Sequence, residues 1–156
     1  MIREIYIKNR KEEFYGKQIS VFLENKEGNL AEFSRLLSEN DINLRALSMA
    51  EAGEFGIVRM IVDDVYKATT SLKEADYVAS VKDVLAVEIP DEAGSLAKVL
   101  AVLGSESVNV EYMYAFTNHT PGKAYMIFRV TDNQHASAVL AEHGVHLMTQ
   151  EDIRQL

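Results

Sequence analysis

Leu23-Glu24-Asn25-Lys26-Glu27-Gly28-Asn29-Leu30 closes an apolar run, turns on a glycine and opens an amphipathic segment. A second version stands at Ile89-Pro90-Asp91-Glu92-Ala93-Gly94-Ser95-Leu96, where Gly94 minus Gly28 and Leu96 minus Leu30 both equal 66. The same offset relates Val21 to Val87, Ala31 to Ala97, Leu37 to Leu103 and Asn43 to Asn109. Self-similarity at a fixed spacing marks one supersecondary unit used twice. Each version reads as a strand, a glycine turn and a helix N-terminus. The first N–H groups of a helix have no intrahelical partners, and together they suit an anion such as a carboxylate. The pattern points to a small-molecule binding protein with two related half-sites and no catalytic apparatus.

Working outward, Ile19, Val21 and Leu23 alternate with Ser20, Phe22 and Glu24, as in a strand with one face on a core. Leu30, Phe33, Leu36 and Leu37 fall at helical spacing, and Asn40-Asp41 is a helix stop. Strands are expected at 42–50 and 56–62, then a helix capped near Asp63-Asp64, then a strand at 77–81. The second copy starts at Val84 with almost no linker, and its second strand runs from Val108 to Phe116. Beyond the Pro121-Gly122 loop the offset becomes 68 (Asp132 minus Asp64, Leu140 minus Leu72), a two-residue insertion. A strand at 125–130, a helix at 133–143, a last strand at 145–149 and a short tail at 151–156 complete it.

Each half is therefore βαββαβ, the ferredoxin-like order. The expected fold class is α+β: two such modules side by side, forming an eight-stranded antiparallel sheet with four helices on one face. Residues 1–16 form an N-terminal extension, 17–82 the first module and 83–156 the second. In the extension, Ile5 and Ile7 suit either a short extra strand or a frayed tail. The two second strands, each otherwise an unprotected edge, are expected to pair. The bare opposite sheet face suggests a homodimer or cover by the N-terminal segment.

A net charge of −8 argues against nucleic acid or an anionic membrane surface as partner. No apolar run reaches the ~20 residues that cross a bilayer, and no secretory pattern opens the chain. The expected location is cytoplasmic. The absence of cysteine removes disulfides, thiolate metal sites and cysteine nucleophiles. His119, His135, His143 and His146 pair with no candidate nucleophile, and Gly144 interrupts the His143–His146 spacing, so no metal or cofactor is expected. Neither turn carries an arginine to grip phosphate, and no carboxylates pair as acid and base. Tyr112, Tyr114 and Phe116 alternate as an RNA-binding sheet requires, but the basic residues such a sheet needs are missing. Asparagine at 43 and 109, inside apolar strand starts, is a poor choice for packing and tilts the reading toward ligand binding.

The E-N-K-x-G-x-L turn, the helix after it and the I-N-L and V-N-V strand starts resemble the ACT-domain family. Its members are small βαββαβ modules that bind amino acids and regulate metabolic enzymes. The resemblance covers about Lys17 to Thr149 and is that of a stand-alone tandem ACT protein. It implies an effector held where two modules meet, the turn of one facing the second-strand start of the other. It nominates Asn25, Gly28, Asn29, Leu30, Asn43 and Leu44 from the first copy. From the second it nominates Asp91, Gly94, Ser95, Leu96, Asn109, Val110 and Glu111. The proline common before the turn glycine is Glu27 and Ala93 here, and the glycine often preceding the strand is Asp41 and Ser107. Implied partners are a free amino acid, a second copy of the chain and a metabolic enzyme; the alternative is a structural dimerisation module or trans-acting subunit without a working ligand site. The first turn is expected to be the better half-site. Lys26 offsets Glu27 there, whereas the second turn carries Asp91 and Glu92, and Pro90 has no N–H.

Overall fold

The computed structural model describes residues 15–156, so the possible strand at Ile5 and Ile7 lies outside the described residues. The elements are β1 (Gly16–Glu24), α1 (Asn29–Glu39), β2 (Leu44–Ala52), β3 (Phe55–Val62), α2 (Val65–Glu74) and β4 (Val78–Pro90). Then follow α3 (Ser95–Ser105), β5 (Val110–Ala115), β6 (Lys123–Val130), α4 (Asn133–Glu142), β7 (His146–Leu147) and α5 (Gln150–Gln155). The chain divides into two compact units, one of residues 17–82 and one of 83–156 with Tyr15 and Gly16.

In the first unit β3 lies between β2 and β1, antiparallel to both, with Val21 opposite Val58 and Ile19 opposite Met60. The alternation of β1 puts Ile19, Val21 and Leu23 on one face, where they meet Phe33 and Leu37 of α1 and Ala68 and Leu72 of α2. In the second unit the order is β7-β4-β6-β5. Leu85, Val87 and Ile89 of β4 pack there with Val99 and Leu103 of α3 and Ala136 and Leu140 of α4. Both units are ferredoxin-like α+β modules.

The repeat extends to individual backbone conformations and bonds. Asp41 (φ 52) and Ser107 (φ 59) end α1 and α3 in the left-handed region. The Ile42 and Val108 N–H groups close those ends on Leu37 (3.0 Å) and Leu103 (2.9 Å) carbonyls. Strand register shifts at Arg45 in β2 and at Glu111 in β5. Asp64 and Asp132 cap α2 and α4 by accepting from the Lys67 and His135 N–H groups at 2.9 and 3.0 Å.

Several expectations are corrected. β2 and β5 do not pair: among the described residues each has a single strand partner, β3 and β6 respectively. The described residues form seven strands, where eight are expected, because 77–81 and 84–89 are parts of one strand, β4. Lys82-Asp83 is polar but contains neither Gly nor Pro to break the strand, and the backbone stays extended through it. Among the described residues there are five helices, and they are not confined to one face. Residues 151–156, expected as a tail, lie largely in α5, which begins with a reciprocal capping box between Thr149 and Asp152. Its Ile153 is fully buried beside Val84, on the side of β4 opposite Leu85 and Val87; a methyl at Gly16 would lie 3.1 Å from Ile153 and 3.6 Å from Val84. That face of the second unit is not bare, since Ala86, Ile127, Tyr125 and Phe116 are also buried.

Candidate functional site

The two strand-to-helix turns are built alike. Gly28 has φ 84 and ψ −18, and Gly94 φ 91 and ψ −12, a region that an L side chain enters only with strain. Nothing lies within 4 Å of a Cβ built at either glycine, so backbone strain alone selects the residue. The Asn29 N–H donates to Lys26 O at 3.3 Å and the Ser95 N–H to Glu92 O at 3.2 Å. The first helical bonds run from Glu32 N–H to Gly28 O (2.9 Å) and from Lys98 N–H to Gly94 O (3.0 Å). Between those bonds, the Leu30 and Ala31 N–H groups, like those of Leu96 and Ala97, precede any intrahelical partner. Neither helix has a side-chain N-cap. Each turn thus presents a pair of backbone donors at the positive end of a helix dipole.

The nominated residues fall into separate places. Asn25, Gly28, Asn29 and the 43 % exposed Leu30 share the first turn. There the asparagine amides hold the turn: Asn25 Nδ2 donates to Gly53 O (3.3 Å) and Asn29 Nδ2 to Glu24 O (3.0 Å). Lys26 pairs with Glu24 and not with Glu27. Asp91, Gly94, Ser95 and Leu96 share the second turn, where the Asp91 N–H donates to Gly122 O at 3.1 Å. Asn43 stands with half-buried Leu44 at the other end of β3, its backbone N–H and Nδ2 both donating to the Asp63 carboxylate (3.1 and 3.3 Å). Asn109 is exposed, next to half-buried Val110, and Glu111 pairs with Arg129 at 3.4 Å. Within one module, turn and asparagine therefore sit at opposite ends of an eight-residue strand, about 25 Å apart at 3.3 Å per residue. One module cannot bring both to a single small ligand.

The second unit also contains a cavity of about 220 Å³ behind its turn, bounded by the end of β4, the first turns of α3 and the α4–β7 connection. Ser95, Lys98, Glu92 and His143 supply its polar groups, and Ile89, Val99, Val102 and Val145 its apolar wall. Glu88, at its edge, is ion-paired to Lys123 at 3.0 Å, and that hydrogen bond is the main cause holding the Lys123 ammonium above its ordinary pKa. A larger groove of about 570 Å³ beside α4 and β7 contains neither turn, and no carboxylate, ammonium or guanidinium side chain lines it. Lys98, Glu92 and His143 escape sequence reading because each belongs to a different element. The cavity itself has a signal: at the positions of Phe33 and Tyr77 in the first copy, the second has Val99 and Val145.

The protein resembles several solved structures. The structure of protein BT0572 from Bacteroides thetaiotaomicron is 40% identical, covers 92% of this chain and 98% of its own, and superposes with a TM-score of 0.85. The ligand-free regulatory subunit of aspartate kinase from Thermus thermophilus shares the fold at 18% identity, with coverage of 82% and 89% and a TM-score of 0.62. The corresponding subunit from Thermus flavus does so at 15% identity, with coverage of 82% and 92% and a TM-score of 0.57. A search of curated proteins finds no match. The family described as an ACT domain pair matches residues 15–156, and the chain belongs to that family.

Proposed function

We propose that this protein is a non-catalytic regulatory module that binds a free amino acid at its strand-to-helix turns. The observation carrying the reading is the pair of turns with matching glycine conformations and free helix N-terminal donors, in a chain of the ACT domain pair family. A carboxylate accepts from the Leu30 and Ala31 N–H groups, or from those of Leu96 and Ala97, at the end of the helix where the dipole favours an anion. The second-strand starts, Asn43-Leu44 and Asn109-Val110-Glu111, supply the other half of a site wherever a turn of a different module reaches them. Of these, Asn109 suits a ligand ammonium through its amide oxygen, because Asn43 already grips Asp63 and Glu111 is paired with Arg129. Known chains with this fold include regulatory subunits of aspartate kinase, which supports a role exerted on an enzyme in trans.

A second reading, assembly alone, has its own support. β2 is an edge strand, and its Leu47 and Met49 are 40 % and 44 % exposed, as a homodimer contact requires. Thermal denaturation with each of the twenty amino acids separates the two. A ligand at a hundred times its dissociation constant adds ~2.7 kcal/mol, several degrees for modules of this size. No shift with any amino acid at millimolar concentration would leave the assembly reading.

A further inference from the structure

The cavity behind the second turn exists because of three residue differences between the copies. In the first unit the equivalent space holds Phe33 and Tyr77, packed edge to face with ring centroids 5.8 Å apart. Offsets of 66 and 68 put Val99 and Val145 at those positions, and Val102 replaces Leu36. Three large-to-small exchanges on facing elements leave about 220 Å³, room for about seven water molecules at 30 Å³ each. The surrounding fold has not collapsed into it.

Its polar groups are arranged in two signs. Ser95, Lys98, Val99 and Val102 share one face of α3 at helical spacing. Ser95 is only 5 % exposed, lines the cavity, and its hydroxyl has no hydrogen-bond partner among the described residues. Facing the cavity, that hydroxyl can donate to a bound acceptor. Lys98 stands one turn further along and is in no ion pair among the described residues. Together they offer a donor and a cation to a carboxylate. On the other side, His143 Nδ1 lies 2.9 Å from the Val139 carbonyl. A carbonyl only accepts, so Nδ1 carries the proton and Nε2 of the neutral ring is an acceptor. With the carboxylate of Glu92, which is in no ion pair among the described residues, it can take an ammonium. Glu88 is already neutralised by Lys123.

We propose that this cavity is a binding site for an α-amino acid with a branched aliphatic side chain. The carboxylate is bound by Ser95 and Lys98, the ammonium by Glu92 and His143 Nε2, and the side chain lies against Ile89, Val99, Val102 and Val145. The proposal rests on the amino-acid reading above but places the ligand within the second module alone. It also makes the module pair unequal by construction, since the first module has filled the same space.

The test is methyl-resolved NMR on the full chain with labelled valines, titrated with L-leucine and, separately, with 3-methylbutanoate, which lacks the ammonium. L-leucine should give saturating shifts at the Val99, Val102 and Val145 methyls, and 3-methylbutanoate weaker ones. Val145→Tyr, which copies the first module's filler, should abolish those shifts. Ser95→Ala, far less disruptive to folding, should weaken L-leucine by about ten- to a hundredfold, the scale of one hydrogen bond to a charged group. L-leucine stabilisation in thermal denaturation without shifts at these methyls, or a Val145→Tyr variant that still binds normally, would overturn the cavity and leave the amino-acid reading standing. Equal or tighter binding of 3-methylbutanoate would overturn the ammonium subsite. Silence of the cavity methyls with both compounds would overturn the proposal even where thermal denaturation reports a different amino acid.

Discussion

The two modules share a backbone and differ in what fills it. At the turns, three backbone bonds of residues 25–32 recur in residues 91–98, among them the cross-links from Asn25 N–H to Glu54 O and from Asp91 N–H to Gly122 O, while the Lys26 N–H bond to Glu24 O and the two asparagine amide bonds belong to the first turn alone. One layer deeper the correspondence ends. Phe33 and Tyr77 stack in the first module, and Val99 and Val145 leave a cavity in the second. Turn geometry is fixed by backbone donors and a left-handed glycine, which few sequences satisfy. Core volume can be lost a few methylenes at a time, so long as the remaining contacts still outweigh the void. A duplicated fold can therefore keep its anion-binding ends and acquire a ligand-sized space in one copy only.

The largest expected effect lies in that core. Phe33 is 1 % exposed and in contact with Tyr77, so Phe33→Ala should cost about 3–5 kcal/mol. Val99, already beside empty space, loses fewer contacts, and Val99→Ala should cost about 1–2 kcal/mol. Urea unfolding of the two variants measures both. Equal losses would mean that the cavity wall is as tightly packed as the filled copy, and the contrast between modules would fail.

Gly28→Ala and Gly94→Ala test the opposite half of the comparison, where the copies agree. Each residue has open space around it and a φ near 90, so each substitution meets only the left-handed backbone penalty, about 1–2 kcal/mol. The two losses should match to within a few tenths of a kcal/mol, the usual precision of such mutant comparisons. A loss at one turn alone would show that the turns are not equivalent in strain.

Much of this was legible before any coordinates. The 66-residue offset, with its change to 68, showed a repeated unit, both glycine turns and the insertion, and Asn40-Asp41 marked the first helix stop, because each depends on residues with strong local preferences. Asp41, Asp64, Gly94 and Asp132 are of that kind. The continuity of β4 was hidden by Lys82-Asp83, a polar pair that reads as a boundary, although a strand tolerates charge wherever a face meets solvent. α5 was missed although Thr149-x-x-Asp152 is a capping signal, since the helix is only six residues long and no helical stripe can show in so few. The turn asparagines read as ligand donors because sequence does not reveal that Gly53 O and Glu24 O take their amide protons. The cavity lay in a difference between aligned copies, and similarity alone does not draw attention to differences.

The smallest effect separates the copies by pH. Half-buried Tyr77 has its phenol pKa raised above the ordinary 10.0, first by burial, then by the negative charge of Glu32, with Arg35 opposing. In the unfolded chain the phenol ionises at its ordinary value, so above that pH the folded state holds more protons. Stability from this group is then complete below about pH 10 and falls as pH rises through the raised folded value. The second module has Val145 there and contributes no such slope. Tyr77→Phe keeps the ring contact with Phe33 and removes the proton, so the variant should lose less stability than the parent between neutral pH and pH values above 10. Because the other tyrosines and lysines titrate equally in both proteins, the difference between the two urea-unfolding curves isolates Tyr77. Parallel pH profiles would show that this phenol ionises alike in the folded and unfolded chain.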